Sequence, residues 1–227
     1  MKNVVRVLST LALKGAMSGL ADRFQSATAT RIEADFAPTV GLLKRLRDGE
    51  AADVVILTRE GLDELVAECA VAADSKVDLA RSYVGLAVKA GAPHPDIGTR
   101  ETFCKALLGA RSVAYSRIGA SGIYFAGLIE QLGIAADINA GAVITAGFTA
   151  ERLLTDEADL AVQQISELKQ VPGVEIVGPI PRELQTPAVF SAGRMAASEQ
   201  QGEANALLTF LASREAAPVL REAGLKP

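Results

Sequence analysis

Ser116-Arg117-Ile118-Gly119-Ala120-Ser121-Gly122 is the stretch on which the reading of this sequence turns. It lies between a strand-like run, Arg111 to Tyr115, and a helical pattern that starts near Ser121. A loop of small residues opening a helix leaves backbone N–H groups without intrahelical partners, and the partial positive charge of the helix N-terminus adds to them. Such a loop suits an anion. Ser116 and Ser121 add hydroxyl donors, Arg117 adds a guanidinium, and Gly119 and Gly122 let a ligand approach the backbone closely. The same residues also suit an ordinary strand-to-helix turn with a serine N-cap, and the loop alone does not separate the two readings.

Upstream of the loop the chain alternates. Val4 to Leu8 reads as a buried strand ending at Ser9-Thr10, after which Leu13, Met17, Leu20, Ala21 and Phe24 recur at helical spacing. Ala29 to Ala34 gives a second strand. Pro38-Thr39 opens a helix carrying Leu42, Leu43 and Leu46, with Gly49 placed to stop it. Ala52 to Thr58 is the third strand, followed by Arg59 and a helix from about Gly61 to Cys69. Strands alternating with helices imply mostly parallel sheets flanked by helices. Ligands of such sheets bind beyond the carboxyl ends of the strands, where Ser9, Thr10, Thr58 and Arg59 fall.

A second series begins with a strand from Ser82 to Val88. A helix from Thr99 to Leu108, the strand before the loop, and a helix bearing Phe125, Leu128, Ile129 and Leu132 follow, with Gly133 at its end. Ala142 to Thr145 leads to Thr149, a plausible N-cap, and Asp159 to Gln163 reads as a further strand. The Pro- and Gly-rich run from Val171 to Pro181 reads as a passage between lobes. Ala188 to Ser191 reads as a strand rejoining the first lobe, and Ala204, Leu207, Leu208 and Leu211 mark a C-terminal helix. The division expected is residues 1–82 plus 182–227 in one lobe and 83–181 in the other, with hinge segments near 82–90 and 171–187. No internal repeat stands out.

Composition narrows the function classes. The 227 residues are 49% hydrophobic and 22% charged, an ordinary globular balance. A net charge of −4 with no basic run argues against a nucleic-acid surface. Cys69 and Cys104 form no C-x-x-C pair and lie far from His94, the sole histidine, so no metal site is legible and no cofactor is expected. His94, in Pro93-His94-Pro95, reads as an exposed turn residue rather than a catalytic one. No apolar span suits a membrane helix. The start, Met1 to Ser9, shows no basic leader with a long apolar core, so the expected compartment is the cytoplasm.

The order of elements resembles the molybdate-binding-protein branch of the type II periplasmic solute-binding proteins over nearly the whole length. The resemblance rests on Ser9-Thr10, on Gly49-Glu50-Ala51-Ala52-Asp53-Val54, on the Ser116 to Gly122 loop, and on Ala158-Asp159-Leu160-Ala161. Phe210-Leu211-Ala212-Ser213 and Gly224-Leu225 complete it. It implies a two-lobed α/β fold with a ligand cleft between the lobes, closing over a small anion held by helix N-termini, backbone N–H groups and hydroxyls. Carried over by position, the binding residues are Ser9 and Thr10, then Ser116, Arg117, Gly119, Ala120 and Ser121. Thr149 falls near a helix start that supplies a backbone donor, and Gln164 where the family often places a polar cleft residue. An ABC permease enters as a partner only if the chain is exported.

The chain departs from the branch's neutral molybdate sites by placing Arg117 in the loop, with Lys14 and Arg59 near other strand ends. A guanidinium grips a planar carboxylate through two parallel hydrogen bonds, which favours an organic (poly)carboxylate over molybdate. The aconitate isomerases are also similar to molybdate-binding proteins. This gives an alternative: an isomerase shifting a double bond in a polycarboxylate, with Lys14, Tyr115, Tyr124 or Glu167 as the group that moves the proton. The sequence does not select among these four.

Overall fold

The first apolar run forms the strand that its β-branched content predicts. In the computed structural model, which describes residues 4–227, β1 (Val4–Ser9) buries Val5, Val7 and Leu8. Met1 to Asn3, part of the start read for a leader, lie outside the described residues. A 3-10 turn at Leu11–Leu13 leads into α1 (Lys14–Thr28), which buries Ala16, Met17, Leu20 and Phe24. Then come β2 (Arg31–Phe36), α2 (Thr39–Arg47), β3 (Val54–Thr58), α3 (Arg59–Ala67) and β4 (Val77–Ser82).

The next unit comprises β5 (Val84–Lys89), α4 (Arg100–Gly109), β6 (Val113–Tyr115), α5 (Ala120–Gln131), α6 (Ala135–Ala140) and β7 (Val143–Ile144). It continues with α7 (Glu151–Leu154), β8 (Leu160–Gln164), α8 (Ile165–Leu168) and β9 (Val174–Pro179). The chain then returns through β10 (Ala188–Arg194), α9 (Gln201–Leu211) and α10 (Ala217–Glu222). The division into compact units falls at these passages: unit 1 runs to Ser82 and resumes at Ala188, and unit 2 is Tyr83–Pro187.

Each unit holds one five-stranded sheet, ordered β2-β1-β3-β10-β4 and β7-β6-β8-β5-β9. The two share a plan. β1 runs parallel to β2 and β3, and β6 runs parallel to β7 and β8. The fourth strand, β10 or β5, is antiparallel to both its neighbours. In each unit that reversed strand is the one by which the chain arrives from the other unit. All five residues of β3 are buried; Val54 and Ile56 join one core with α1, α9 and α10, while Val55 and Leu57 join another with α2 and α3. That alternation is the signature of a sheet covered on both faces.

Two local readings need correction. The run from Ser82 to Val88 is not one strand: β4 ends at Ser82 and β5 begins at Val84, in different sheets. The Pro- and Gly-rich run after Val171 is not a bare passage either, because Val174–Pro179 forms the edge strand β9. An edge tolerates Pro179, since a missing N–H can face away from the sheet. Among the described residues, no helix is long and apolar enough to cross a membrane.

Candidate functional site

In unit 1 the residues after β1 turn sharply. Thr10 N–H donates to the Ile56 carbonyl at 3.0 Å, and the Ser9 hydroxyl donates to the Thr10 carbonyl at 3.2 Å. Both residues are buried, and among the described residues Thr10 Oγ1 has no hydrogen-bond partner. Thr58, at the end of the neighbouring strand β3, caps α3 by accepting the Gly61 N–H on its hydroxyl. Arg59 is committed elsewhere: its guanidinium pairs with Asp78 on β4, which also accepts the Ser191 hydroxyl at 2.6 Å. Burial pushes the Asp78 carboxyl up, but the hydrogen bonds from Ser191 and Arg59 outweigh it and hold the group below its ordinary range. Lys14 is exposed, with its ammonium 6.0 Å from the centre of the Phe36 ring.

In unit 2 the opening loop is tighter than a simple N-cap. Ser116 is buried, and its hydroxyl accepts the N–H groups of Ile118 at 3.2 Å and Gly119 at 3.1 Å. The helix cap is Gly119, not a serine, and it receives no side-chain cap bond. Among the described residues, the N–H groups of Ala120 and Ser121 make no backbone hydrogen bond. Ser121 is buried in the first turn of α5, while Arg117 and Ile118 are exposed. Ile118 in the loop, Ile123 in the first turns of α5 and Ile144 on β7 are exposed apolar residues, by 45%, 50% and 44% respectively.

Gln164 ends β8 at this same strand edge, beside β6. Its side chain is buried, and its Oε1 has no partner. Buried polar atoms are almost always paired. Among the described residues two side-chain atoms break that rule, Thr10 Oγ1 and Gln164 Oε1, one at a strand end of each unit. A half-turn of the Gln164 amide exchanges its oxygen for its NH2, so the position can accept from a ligand hydroxyl or donate to a carboxylate.

Other expected residues are spoken for. Thr149 is fully buried, but its N–H donates to Gln163 Oε1 at 2.8 Å and its hydroxyl also reaches that atom, so it offers no free backbone donor. It precedes the cap of α7, which is Ala150. Gln163 Nε2 in turn donates to the Gly147 carbonyl. Tyr115 packs in the core edge-to-face with Phe125, and its hydroxyl donates to Asn139. Tyr124 gives its hydroxyl to the Leu184 carbonyl.

Glu167 is the exception. It is buried, and desolvation pushes its carboxyl up to about 8, against the lowering effect of a hydrogen bond with Gln163. Gln163, which residue type did not single out, thus links Glu167 to Thr149. Among the described residues no group of three His, Cys, Asp or Glu side chains could hold a metal. A cavity of about 820 Å³ in unit 2, lined by Val88, Lys105 and Leu160 among others, opens where β8 begins and contains none of the site residues. The unpaired buried atoms, not that cavity, mark the candidate binding positions, one in each unit.

Residues 5–226 match the family described as bacterial extracellular solute-binding protein. The chain is 38% identical over 228 residues to an aconitate isomerase from Pseudomonas sp, covering 97% of this chain and 87% of that one. Among solved structures, the Azotobacter vinelandii periplasmic molybdate-binding protein superposes with a TM-score of 0.83 at 16% identity, covering 98% of this chain and 99% of the other. The sulfate-binding protein SubI from Mycobacterium tuberculosis H37Rv gives 0.79 at 17% identity, covering 99% and 87%. At such identities the two structural likenesses speak for the fold.

Proposed function

The chain belongs to the bacterial extracellular solute-binding protein family, and from that premise we propose that it binds a small organic carboxylate through the donors at its strand ends. The observation that carries this reading is the buried Gln164 Oε1, without a partner among the described residues, at the strand edge of unit 2 that also carries the Ser116–Ser121 loop; Thr10 Oγ1 is the unpaired atom at a strand end of unit 1. A ligand that satisfies such an atom recovers the cost of burying it alone, about 1–3 kcal/mol. Arg117 bears on the ligand class: it stands exposed on the loop that leaves the Ala120 and Ser121 N–H groups open, and a guanidinium there can pair bidentately with a planar carboxylate.

A second reading, isomerisation of an unsaturated polycarboxylate, is favoured by the relative's activity and by Glu167. An allylic shift removes a proton at one carbon and returns one at another, so a single group with a pKa near working pH can serve both steps. With Tyr115 committed to Asn139 and Lys14 exposed, Glu167 is the buried candidate for that group.

A thermal-shift screen of molybdate and sulfate against di- and tricarboxylates, followed by NMR of each hit over hours, tests both readings. Carboxylate hits that stay unchanged support binding; conversion of cis- to trans-aconitate supports the isomerase. Tight molybdate or sulfate binding with no carboxylate hit sinks the carboxylate assignment. Arg117→Ala should weaken carboxylate binding tenfold or more, as expected for a lost charge-assisted pair. Unchanged affinity in that variant would mean that Arg117 does not touch the ligand.

A further inference from the structure

Glu167 lies in a setting that a carboxylate does not tolerate unless something else changes with it. It sits three residues beyond Gln164, in the helical turn that Gln164 begins, which places the two backbones roughly 5–6 Å apart. Among the described residues its hydrogen bond is with the neutral amide of Gln163, and no cation contributes to its environment. The elements packed most closely against α8 are β5, β8 and β9. β8 carries no titratable side chain. On β5 the charged residue is Lys89, held by Asp156; it is five residues from Val84, which pairs with Gln164, and so about 17 Å away along the strand. On β9 it is Glu175, which takes His94 and the Gly91 N–H. Tyr83, whose carbonyl accepts the Ile165 N–H, and the exposed Lys169 are further titratable groups close by in the chain.

A buried carboxylate without a cation is costly, and an anion arriving nearby raises that cost by like-charge repulsion. We propose that Glu167 is the proton-linked residue of the binding site: the anion is bound with the Glu167 carboxyl protonated, and above the pH at which that carboxyl ionises in the free protein each anion brings one proton with it. The inference rests on the reading that the donors around Gln164 and the Ser116–Ser121 loop hold an anion. The proton goes to one Glu167 carboxyl oxygen, and the other, carbonyl oxygen can go on accepting from the Gln163 amide NH2. Because Gln163 also holds Thr149 and Gly147, the neutral acid keeps that loop in place without adding charge beside the ligand.

The test uses the whole protein with trans-aconitate and, separately, sulfate as probes. In the ligand-free protein, 13C NMR of glutamate-labelled samples, assigned by the loss of one signal in Glu167→Gln, should show this carboxyl titrating near 8, where desolvation places it. Titration calorimetry in buffers of different ionisation enthalpy should then show about one proton taken up per anion at pH 9. Affinity should fall about tenfold between pH 7 and pH 9 in the wild type and stay flat over that range in Glu167→Gln. If the variant does not fold, the wild-type proton count and affinity profile decide the matter alone. A carboxyl titrating near its ordinary 4.5, or wild-type affinity independent of pH, overturns the linkage while leaving anion binding intact. Failure of both probes to bind at every pH overturns the anion reading, and the linkage with it.

Discussion

A side chain on Gly122 would collide with the backbone of Ser116: an added Cβ would lie 2.9 Å from the Ser116 Cα and closer still to its carbonyl carbon and oxygen. The first turn of α5 therefore presses directly on the residue whose hydroxyl gathers the N–H groups of Ile118 and Gly119. Gly122→Ala should push the loop outward, lower stability by about 1–3 kcal/mol as overpacking does, and weaken anion binding at least tenfold. Thermal melts and calorimetry check this; a variant that binds as tightly as the wild type would show that the loop's position is not needed for the ligand.

Asp53 and Asp159 play the same part in the two units. Asp53 accepts the Arg6 N–H at 2.8 Å and the Ser198 hydroxyl at 2.7 Å, while Asp159 accepts the Arg111 N–H at 2.8 Å and its guanidinium at 2.9 Å. Each thereby ties the start of β3 or β8 to the residue at the neighbouring β1 or just before β6, at the strand edge away from the candidate site. Substitution of either by Ala should cost roughly 1–3 kcal/mol of stability, since the hydrogen bonds lost are to a charged acceptor. The exposed ion pair of Asp159 with Arg111 adds little to that. Affinity should be unchanged; a selective loss of affinity with an unaltered melt would mean that these motifs belong to the site.

Thr10→Val tests the partnerless hydroxyl. Valine keeps the shape and removes a buried polar atom that has nothing to bond. The ligand-free protein should gain on the order of 1 kcal/mol, or about 2–4 °C in melting temperature, while anion affinity falls. Loss of stability on this substitution would mean that Oγ1 is satisfied in solution by an ordered water rather than reserved for a ligand.

Glu167 also predicts how the ligand-free protein responds to pH. Its folded value, about 8, lies above the ordinary 4.5, so between those values the native state holds a proton that the unfolded chain releases. Stability from this group is therefore full below about pH 4.5, declines as pH rises, and levels off above about pH 8, with a total change of a few kcal/mol. Chemical denaturation between pH 5 and pH 9 should show that decline, and Glu167→Gln should remove it and be the more stable protein at pH 8. Parallel profiles for the two proteins would rule it out.

Much of this was legible in the residues themselves. The run Val54 to Thr58 has a single comfortable state, a strand buried on both faces, Val4 to Leu8 forms a strand as its β-branched content predicts, and Gly133 marked the end of α5 by its tolerance of a positive φ, 73° here. Ser9, Thr10 and the Ser116 to Ser121 loop stood out as candidates because strand ends and helix starts expose backbone donors wherever they occur. The shared plan of the two sheets was not legible: Asp53 and Asp159 sit in short motifs whose equivalence depends on hydrogen bonds to Arg6 and Arg111, 47 and 48 residues away.

The α/β alternation and the places where backbone donors are left open follow from local periodicity and chain chemistry, and so could be read from the residues alone. Which polar groups stay unpaired depends on the folded arrangement. Arg59, Thr149 and Tyr115 were equal candidates as residue types, yet Asp78, Gln163 and Asn139 have claimed them. Thr10 and Gln164 were left buried without a partner, and Glu167 without a cation, because partnership and desolvation depend on neighbours that only folding brings near.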